Sequence, residues 1–281
     1  MISKEEFLKK VEYNLIPELK KNGANRQIVK EEAHKLFLGL LAAFAVPVVL
    51  FVVGFILDNG VWPVCGFFSL FVMLYLVASF VKTPQLDLLK NEKKILFKFC
   101  LRLFDLYPDT KKVIADLIQD SSLFYGRTSV EDEFEGKGNF APFYAAEVCC
   151  KPDDESAKYA HVILTKSSYI QKAYGKGFDL KQMELKKSLY VDENALKDAE
   201  LKQKIAKVKE YFKPVTKGNT LPSVKACFFG ENVLLVVWTD KNLFENYVHN
   251  KMECEIDDLK PYGSFYDTIE ATLKTVELFE R

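Results

Sequence analysis

By residue type, the groups in this 281-residue chain that could do chemistry are six cysteines, three histidines, a dense acidic run and two Gly-Lys-Gly triplets. Cys65, Cys100, Cys149, Cys150, Cys227 and Cys254 include no C-x-x-C pair, and the adjacent 149–150 pair does not easily bridge itself. A zinc site would have to recruit His249, Cys254 and Cys227, a spacing that matches no familiar site, so reduced or buried thiols are the expectation. Gly136-Lys137-Gly138 and Gly175-Lys176-Gly177 offer amides to a phosphate. Neither completes a G-x-x-x-x-G-K-[ST] loop or a G-x-G-x-x-G turn, and ordinary turns account for both. There is no G-x-S-x-G elbow and no H-E-x-x-H helix. His161 lies in a strand pattern and reads as a structural ring, although a triad assembled in space through it or His249 would leave no trace in the spacing. No catalytic residue, cofactor or metal is expected.

Glu131-Asp132-Glu133-Phe134-Glu135 is the densest charge cluster, close to Arg127 and Lys137. Such carboxylates can hold a metal, but a solvated loop is the commoner outcome. Interleaved aromatics make residues 121–147 the candidate recognition loop, because exposed aromatics beside charge are what interfaces use. Its candidate contact residues are Phe124, Tyr125, Arg127, Asp132, Phe134, Phe143 and Tyr144. If these side chains are buried, the segment is only the edge of the domain.

The elements that would position these groups read as α+β. Residues 140–150, 159–165, 225–230 and 233–239 are short runs rich in Val, Ile, Phe, Tyr and Trp, and are predicted strands. Gly230-Glu231-Asn232 supplies a turn that makes the last two a hairpin. Residues 193–212 predict a helix with Leu196, Leu201, Ile205, Val208 and Phe212 on one side, ended by Lys213-Pro214. Further helices are predicted at 86–106, from Asp109 or Thr110 to about Gln119, at 242–249, and from about Ser264 onward. The expected domain, 82–281, is an antiparallel sheet covered on one face by helices.

Ahead of this domain lies an apolar block. Residues 36–81 carry one charge, Asp58, whereas the other 235 residues hold 77 of the 78 charges. Residues 36–57 and 61–81 are each long enough to cross a hydrocarbon core of roughly 30 Å as a helix. Asp58-Asn59-Gly60 turns between them, so the block predicts a transmembrane hairpin with the lipid bilayer as its partner. Pro47 frees the carbonyl of Ala43 and predicts a kink. Gly39, Ala43, Pro47, Gly54 and Gly66 are the candidate helix-packing residues; Gly39-x-x-x-Ala43 also allows a homo-oligomer. Lys20, Lys21, Arg26, Lys30 and Lys35 precede the block and Lys82, Lys90, Lys93, Lys94 and Lys98 follow it, which predicts both termini on the cytoplasmic side of a multi-pass membrane protein. No short h-region with a cleavage site is visible, so no cleaved signal peptide is expected.

Residues 1–35 begin with a narrow apolar stripe of Phe7, Val11, Leu15 and Leu19. This predicts a short helix, bent at Pro17 and ended at Asn22-Gly23, that packs on its own chain, with the membrane surface or a partner helix as the alternatives for its apolar face. Net charge is +2 over 1–35, +4 over 82–102 and −5 over 103–281. Basic charge is confined to the membrane border, and the mildly acidic remainder argues against nucleic acid as a partner.

Phe7 followed by Ile16-Pro17-Glu18-Leu19 and Arg26, Leu123-Phe124 followed by Glu131-Asp132 and Phe134-Glu135-Gly136, Phe143 with Ala146-Glu147, and Asn242-Leu243-Phe244-Glu245 before a terminal helix together carry a resemblance. The chain resembles a bacterial family of uncharacterised membrane proteins with an amphipathic N-terminal helix, two spans and a cytoplasmic α+β domain. The resemblance implies a bacterial inner membrane and no established activity. The leading functional expectation is a membrane-anchored module that binds another protein. A membrane-bound enzyme with a cryptic cytoplasmic site and an accessory or assembly subunit of a membrane complex are the alternatives.

Overall fold

The computed structural model describes residues 1–57, 61–77, 83–119, 124, 126–139, 141–151, 158–167, 189–191, 199–229, 232–239, 241–244 and 258–280. They fall into two bodies. The described residues of the first lie within 1–12, 97–244 and 258–280, and those of the second within 13–96.

The first body is α+β and built on an antiparallel sheet. Its strands are β1 (Tyr107–Pro108), β2 (Arg127–Lys137), β3 (Pro142–Lys151), β4 (Lys158–Lys166), β5 (Leu189–Val191), β6 (Ser223–Phe229) and β7 (Asn232–Thr239), in the spatial order β1-β2-β3-β4-β7-β6-β5. The expected hairpin near residue 230 is present as β6 and β7, with Phe229 opposite Asn232 and Ala226 opposite Leu235. β2 occupies a stretch expected to be a solvated loop. Its charged side chains hide its strand character, because an edge strand needs few apolar residues.

Helices cover both faces of this sheet, not one. Tyr144, Ala146 and Val148 of β3, with Ala160, Val162 and Leu164 of β4 and Leu234 and Val236 of β7, meet Ile114 and Ile118 of α6 (Val113–Gln119). Phe143, Ala145, Ile163, Leu235 and Val237 are fully buried and alternate with that set on the opposite face. There the sheet meets α7 (Ala199–Phe212) and α8 (Lys260–Glu280). A strand buried on both faces is apolar at every position rather than at every second one, as Leu234-Leu235-Val236-Val237 is. The helix expected from Asp109 or Thr110 begins only at Val113; Asp109 caps it from upstream, its Oδ2 accepting from the Val113 amide at 3.0 Å. Residues 192–198, which would begin the helix expected at 193–212, lie outside the described residues, as does most of the helix expected at 242–249.

The N-terminal helix α1 (Lys4–Lys10), capped by Ser3, belongs to this body. Phe7 has no exposed surface and packs against Phe104, Phe265 and Tyr266, with ring centroids 5.5, 6.3 and 5.5 Å away. The Tyr266 hydroxyl donates to the Ile2 carbonyl at 2.9 Å, and Lys4 bridges Asp267 at 2.7 Å. Residues spaced by four drift about 40° per turn around an α-helix. A wider π segment, Val11–Leu15, sits directly ahead of Pro17, and Phe7, Val11, Leu15 and Leu19 are all buried.

The second body corrects two expectations. The helix does not end at Asn22-Gly23: α2 runs from Ile16 to Ala43, because one interior glycine costs only about 1 kcal/mol against the good helix formers around it. The span expected over 36–57 is not one helix either. It breaks at Phe44, three residues before Pro47, and resumes as α3 (Ala45–Ile56), packed against α4 (Val61–Val77). Among the described residues, no helix is long and apolar enough to cross a membrane. Pro47, Gly54 and Gly66 are buried within this body, Gly39 is exposed with open space around it, and Ala43 lies in α2. A Cβ on Gly66 would lie 2.9 Å from the Phe51 ring and 3.1 Å from the Pro47 carbonyl, so this glycine sets the α3–α4 approach. Both bodies are entered by α5 (Thr83–Arg102), which ends with Asp105 at φ 57 and a bond from the Leu106 amide to the Leu101 carbonyl, an αL cap ahead of the expected stop at Tyr107-Pro108.

Phe7→Ala is expected to lower the stability of the full chain by about 3–5 kcal/mol. Tyr13→Ala, at a position 74% exposed, is expected to leave it nearly unchanged. Urea unfolding in detergent, followed by Trp238 fluorescence in a Trp62→Phe background, checks both.

Candidate functional site

Two polar constellations stand out in the first body, one buried and one open. The buried one begins on adjacent strands, where Glu147 of β3 lies opposite His161 of β4. Glu147 Oε1 is 2.8 Å from His161 Nδ1, and Thr272 Oγ1 of α8 is 2.9 Å from Nε2. The Leu243 amide donates to Glu147 Oε2 at 3.3 Å. Phe134, Phe212 and Phe244 enclose the imidazole at 6.4, 5.4 and 5.7 Å between centroids. Burial drives the imidazole pKa down from 6.5 to about 3, so the ring is neutral. A neutral ring that donates from Nδ1 to the carboxylate leaves Nε2 as an acceptor. The Thr272 hydroxyl lies 2.9 Å from Nε2 and 2.8 Å from the Thr268 carbonyl one turn back, and its one proton goes to only one of these two acceptors at a time.

Hydroxyl, imidazole and carboxylate thus stand in the order that activates a nucleophile. No substrate can use it: Thr272 and His161 are 0% exposed and Glu147 is 1% exposed. The arrangement ties β3, β4, α8 and the turn at residues 242–244 together, which is the structural role expected of His161. Its partner Glu147 and the back-bonded threonines of α8 were not singled out by sequence. The threonine spacing at 268, 272 and 275, on one buried helix face, is the signal that could have found them.

The open constellation is a cleft of about 790 Å³ between α6 and β2. Among the described residues, its lining includes the acidic Asp109, Asp116, Glu131, Asp132 and Glu133, with Lys112 as a cation. A β-bulge shapes it: Glu131 pairs with Glu147, but Phe134 pairs with Ala145, so β2 has one extra residue there. Asp132, inside the bulge, has φ 52. The extra residue reverses the strand's parity, leaving Val130 on the α6 face and sending Phe134 to the opposite core. Asp109 and Glu133 cap α6, with Glu133 Oε1 accepting from the Ile114 amide at 2.5 Å. Burial raises the Glu133 carboxyl above its ordinary value; the Asp109 charge adds to this and the Ile114 amide opposes it.

This geometry sorts the candidate recognition residues. Phe134 and Phe143 are fully buried and unavailable to a partner, because the bulge and the strand register turn them into the core. Tyr144 is half-buried against the α6 cluster. Phe124 is half-buried beside Trp238 at 5.5 Å and lines the cleft, as does Asp132. Arg127 is exposed at the start of β2, and Tyr125 lies outside the described residues. Asp109 and Asp116 join the site only through the fold.

Among the described residues no group of three metal-ligating side chains gathers. Gly136 is buried in β2, where a Cβ would strike Leu106 and Phe143; one on Gly138 would meet the Glu280 carboxylate, whose Oε2 accepts from the Asn139 amide at 2.6 Å. The first triplet therefore serves close packing and a turn. The second triplet, at 175–177, lies outside the described residues, as do His249 and Cys254. Cys100 is buried and its thiol is pushed well above the ordinary range by burial, whereas Cys65 is exposed.

No protein-family model, curated protein or solved structure matches this chain.

A His whose folded pKa lies below its unfolded one stabilises fully above about 6.5, and loses that contribution as pH falls toward 3, because the unfolded state then binds the extra proton. The slope is about 1.4 kcal/mol per pH unit. In His161→Gln, which keeps a donor for Glu147, urea unfolding between pH 6 and 4.5 is expected to show a flatter acid dependence than the unsubstituted chain; equal slopes would refute the neutral-ring assignment.

Proposed function

We propose that this chain is a membrane-anchored protein-interaction module, with α3, α4 and the end of α2 seated in a lipid bilayer and the α+β domain on the cytoplasmic side with both termini. One observation carries the reading. Of the twenty-two large apolar side chains exposed among the described residues, seventeen lie between positions 36 and 75. They include Phe55 at 79%, Ile56 at 75% and Phe68 at 67% exposed. A patch of that extent is unfavourable in water by about 25 cal/mol per Å² and favourable in lipid.

The inner side of the pair is made of Pro47, Gly54 and Gly66, the small or rigid residues that membrane helices use to approach closely. At the break, Phe44 keeps helical backbone angles of −62° and −20°. Read as one continuous helix, the twenty-two residues at 36–57 would extend about 33 Å at 1.5 Å per residue. Gly39 leaves room beside α2 for a further helix, which suits a homo-oligomer. The basic flanks and the resemblance to bacterial two-span proteins support a bacterial inner membrane and this orientation.

Asn59→Cys in a Cys65→Ser background tests the crossing. A membrane-impermeant maleimide added outside intact spheroplasts is expected to label position 59, and to label Tyr13→Cys only after permeabilisation. Protection of position 59 from outside, or release of the chain by alkaline carbonate, would sink the anchored reading.

A further inference from the structure

Charge is unevenly spread along the chain beyond α5. Residues 199–225 carry seven lysines against Glu200 and Glu210, a net +5, whereas the rest of 103–281 nets −10, from 18 Lys and Arg against 28 Asp and Glu. α7 buries Leu201, Ile205, Val208 and Phe212 and leaves Lys202 and Lys207 exposed. Past its end the chain makes two 3-10 turns, Lys213–Val215 and Lys217–Asn219, and Lys213 and Lys217 are exposed. The connection is held in shape: the Asn219 amide donates to the Thr216 carbonyl at 3.3 Å, and the Thr216 hydroxyl lies 2.5 Å from the Thr220 carbonyl. Gly218 and Asn219 take the left-handed φ values of 68° and 53° that the reversal requires. Leu221 emerges from this connection 53% exposed. Among the described residues of the first body, the other large apolar side chains so exposed are Met1 and Tyr107. Leu221 lines an open groove of about 350 Å³ with Pro222 and the half-buried Trp238.

We infer that residues 213–221, with the exposed lysines of α7, are a docking face that lays the first body on an anionic phospholipid surface. Three features favour a bilayer over an acidic protein segment. Lysine alone supplies the positive charge of 199–225, and its compact ammonium suits a diffuse charged surface, whereas paired recognition of single carboxylates or phosphates usually falls to arginine. An exposed Leu among lysines, with a Trp beside it, matches the boundary between headgroups and acyl chains, where apolar side chains bury and ammonium groups stay among phosphates. The inference rests on the anchored-module reading, and the anchor is the third feature. A tether holds the bilayer at high effective concentration, so a few lysines are enough to dock a domain that would bind weakly if free. The rigid connection adds to this, because Leu221 is presented without a further ordering cost.

The test uses the full chain with Trp62→Phe, which leaves Trp238 as its one tryptophan, in lipid nanodiscs that contain phosphatidylcholine spin-labelled on the headgroup. Quenching of Trp238 is compared between discs of phosphatidylcholine and discs with added phosphatidylglycerol. The anionic lipid is expected to raise the quenching constant about twofold or more, and high salt to reverse the rise. Lys202→Glu combined with Lys213→Glu is expected to abolish the rise, and Leu221→Ser to reduce it. Lys137→Glu, exposed at the far end of β2, is expected to leave it intact. Circular dichroism checks that each variant is folded. Equal quenching in the two kinds of disc would overturn the docking face, as would a rise that survives the double lysine reversal. A labelled Glu-rich peptide is added to the neutral discs as a last arm. If it binds and the double reversal removes that binding, while anionic lipid leaves Trp238 unquenched, the face belongs to an acidic protein and the lipid assignment is overturned. Recovery of the chain with the discs separates the two levels. A chain that enters the discs but shows no response to phosphatidylglycerol loses only the docking face; one that enters neither kind of disc loses the anchored reading and the docking face with it.

Discussion

Strands β3, β4 and β7 are buried on both faces, and the remaining architecture of the first body answers that constraint. A sheet in this position must have helices above and below it, which is why α6 lies on one side and α7 and α8 on the other. It must also find partners for most of the polar groups placed inside. Glu147 and His161 are placed in the core by strand parity, and Thr272 and the Leu243 amide supply the partners they need. The imidazole is thus held neutral in an aromatic cage, and its chemistry is spent on joining two strands, a helix and a turn.

The bulge in β2 is the second organising feature. A single extra residue moves Phe134 from one face of the sheet to the other, where it packs edge-on against Phe97 and Phe244. The same insertion leaves Asp132 in the left-handed region, and Glu133 after it caps the α6 N-terminus together with Asp109. Core filling, helix capping and an acidic cleft therefore follow from one change of register.

The chain also passes out of the first body and back. It leaves after residue 12 and returns at residue 97, and α1 is locked to α8 by Phe7, Lys4 and the Tyr266 hydroxyl. The ring stack accounts for most of that attachment, since the Lys4–Asp267 pair is partly exposed and worth little by itself. Within the second body the close approach of α3 and α4 depends on Gly66 and Pro47, and its large side chains point outward.

Local pattern determined much of this by itself. The apolar block, the 3.6-residue stripe of α8, the β6–β7 hairpin and the Asp109 cap are all legible because each depends on residues close together in the chain. The structural role of His161 was legible for the same reason, as a polar residue inside an apolar strand. Tertiary structure decided what depends on pairing partners far apart. β2 is a strand because β3 lies beside it, despite a composition that reads as a loop. Phe134 is core because of a one-residue bulge, which no spacing reveals, and Phe143 because of the register of β3. The second helical layer, and the meeting of Asp109 and Asp116 with Glu131, required the register of strands and the placement of α6. Periodicity reports which way a side chain points along its own element; only the assembled sheet determines what it points at.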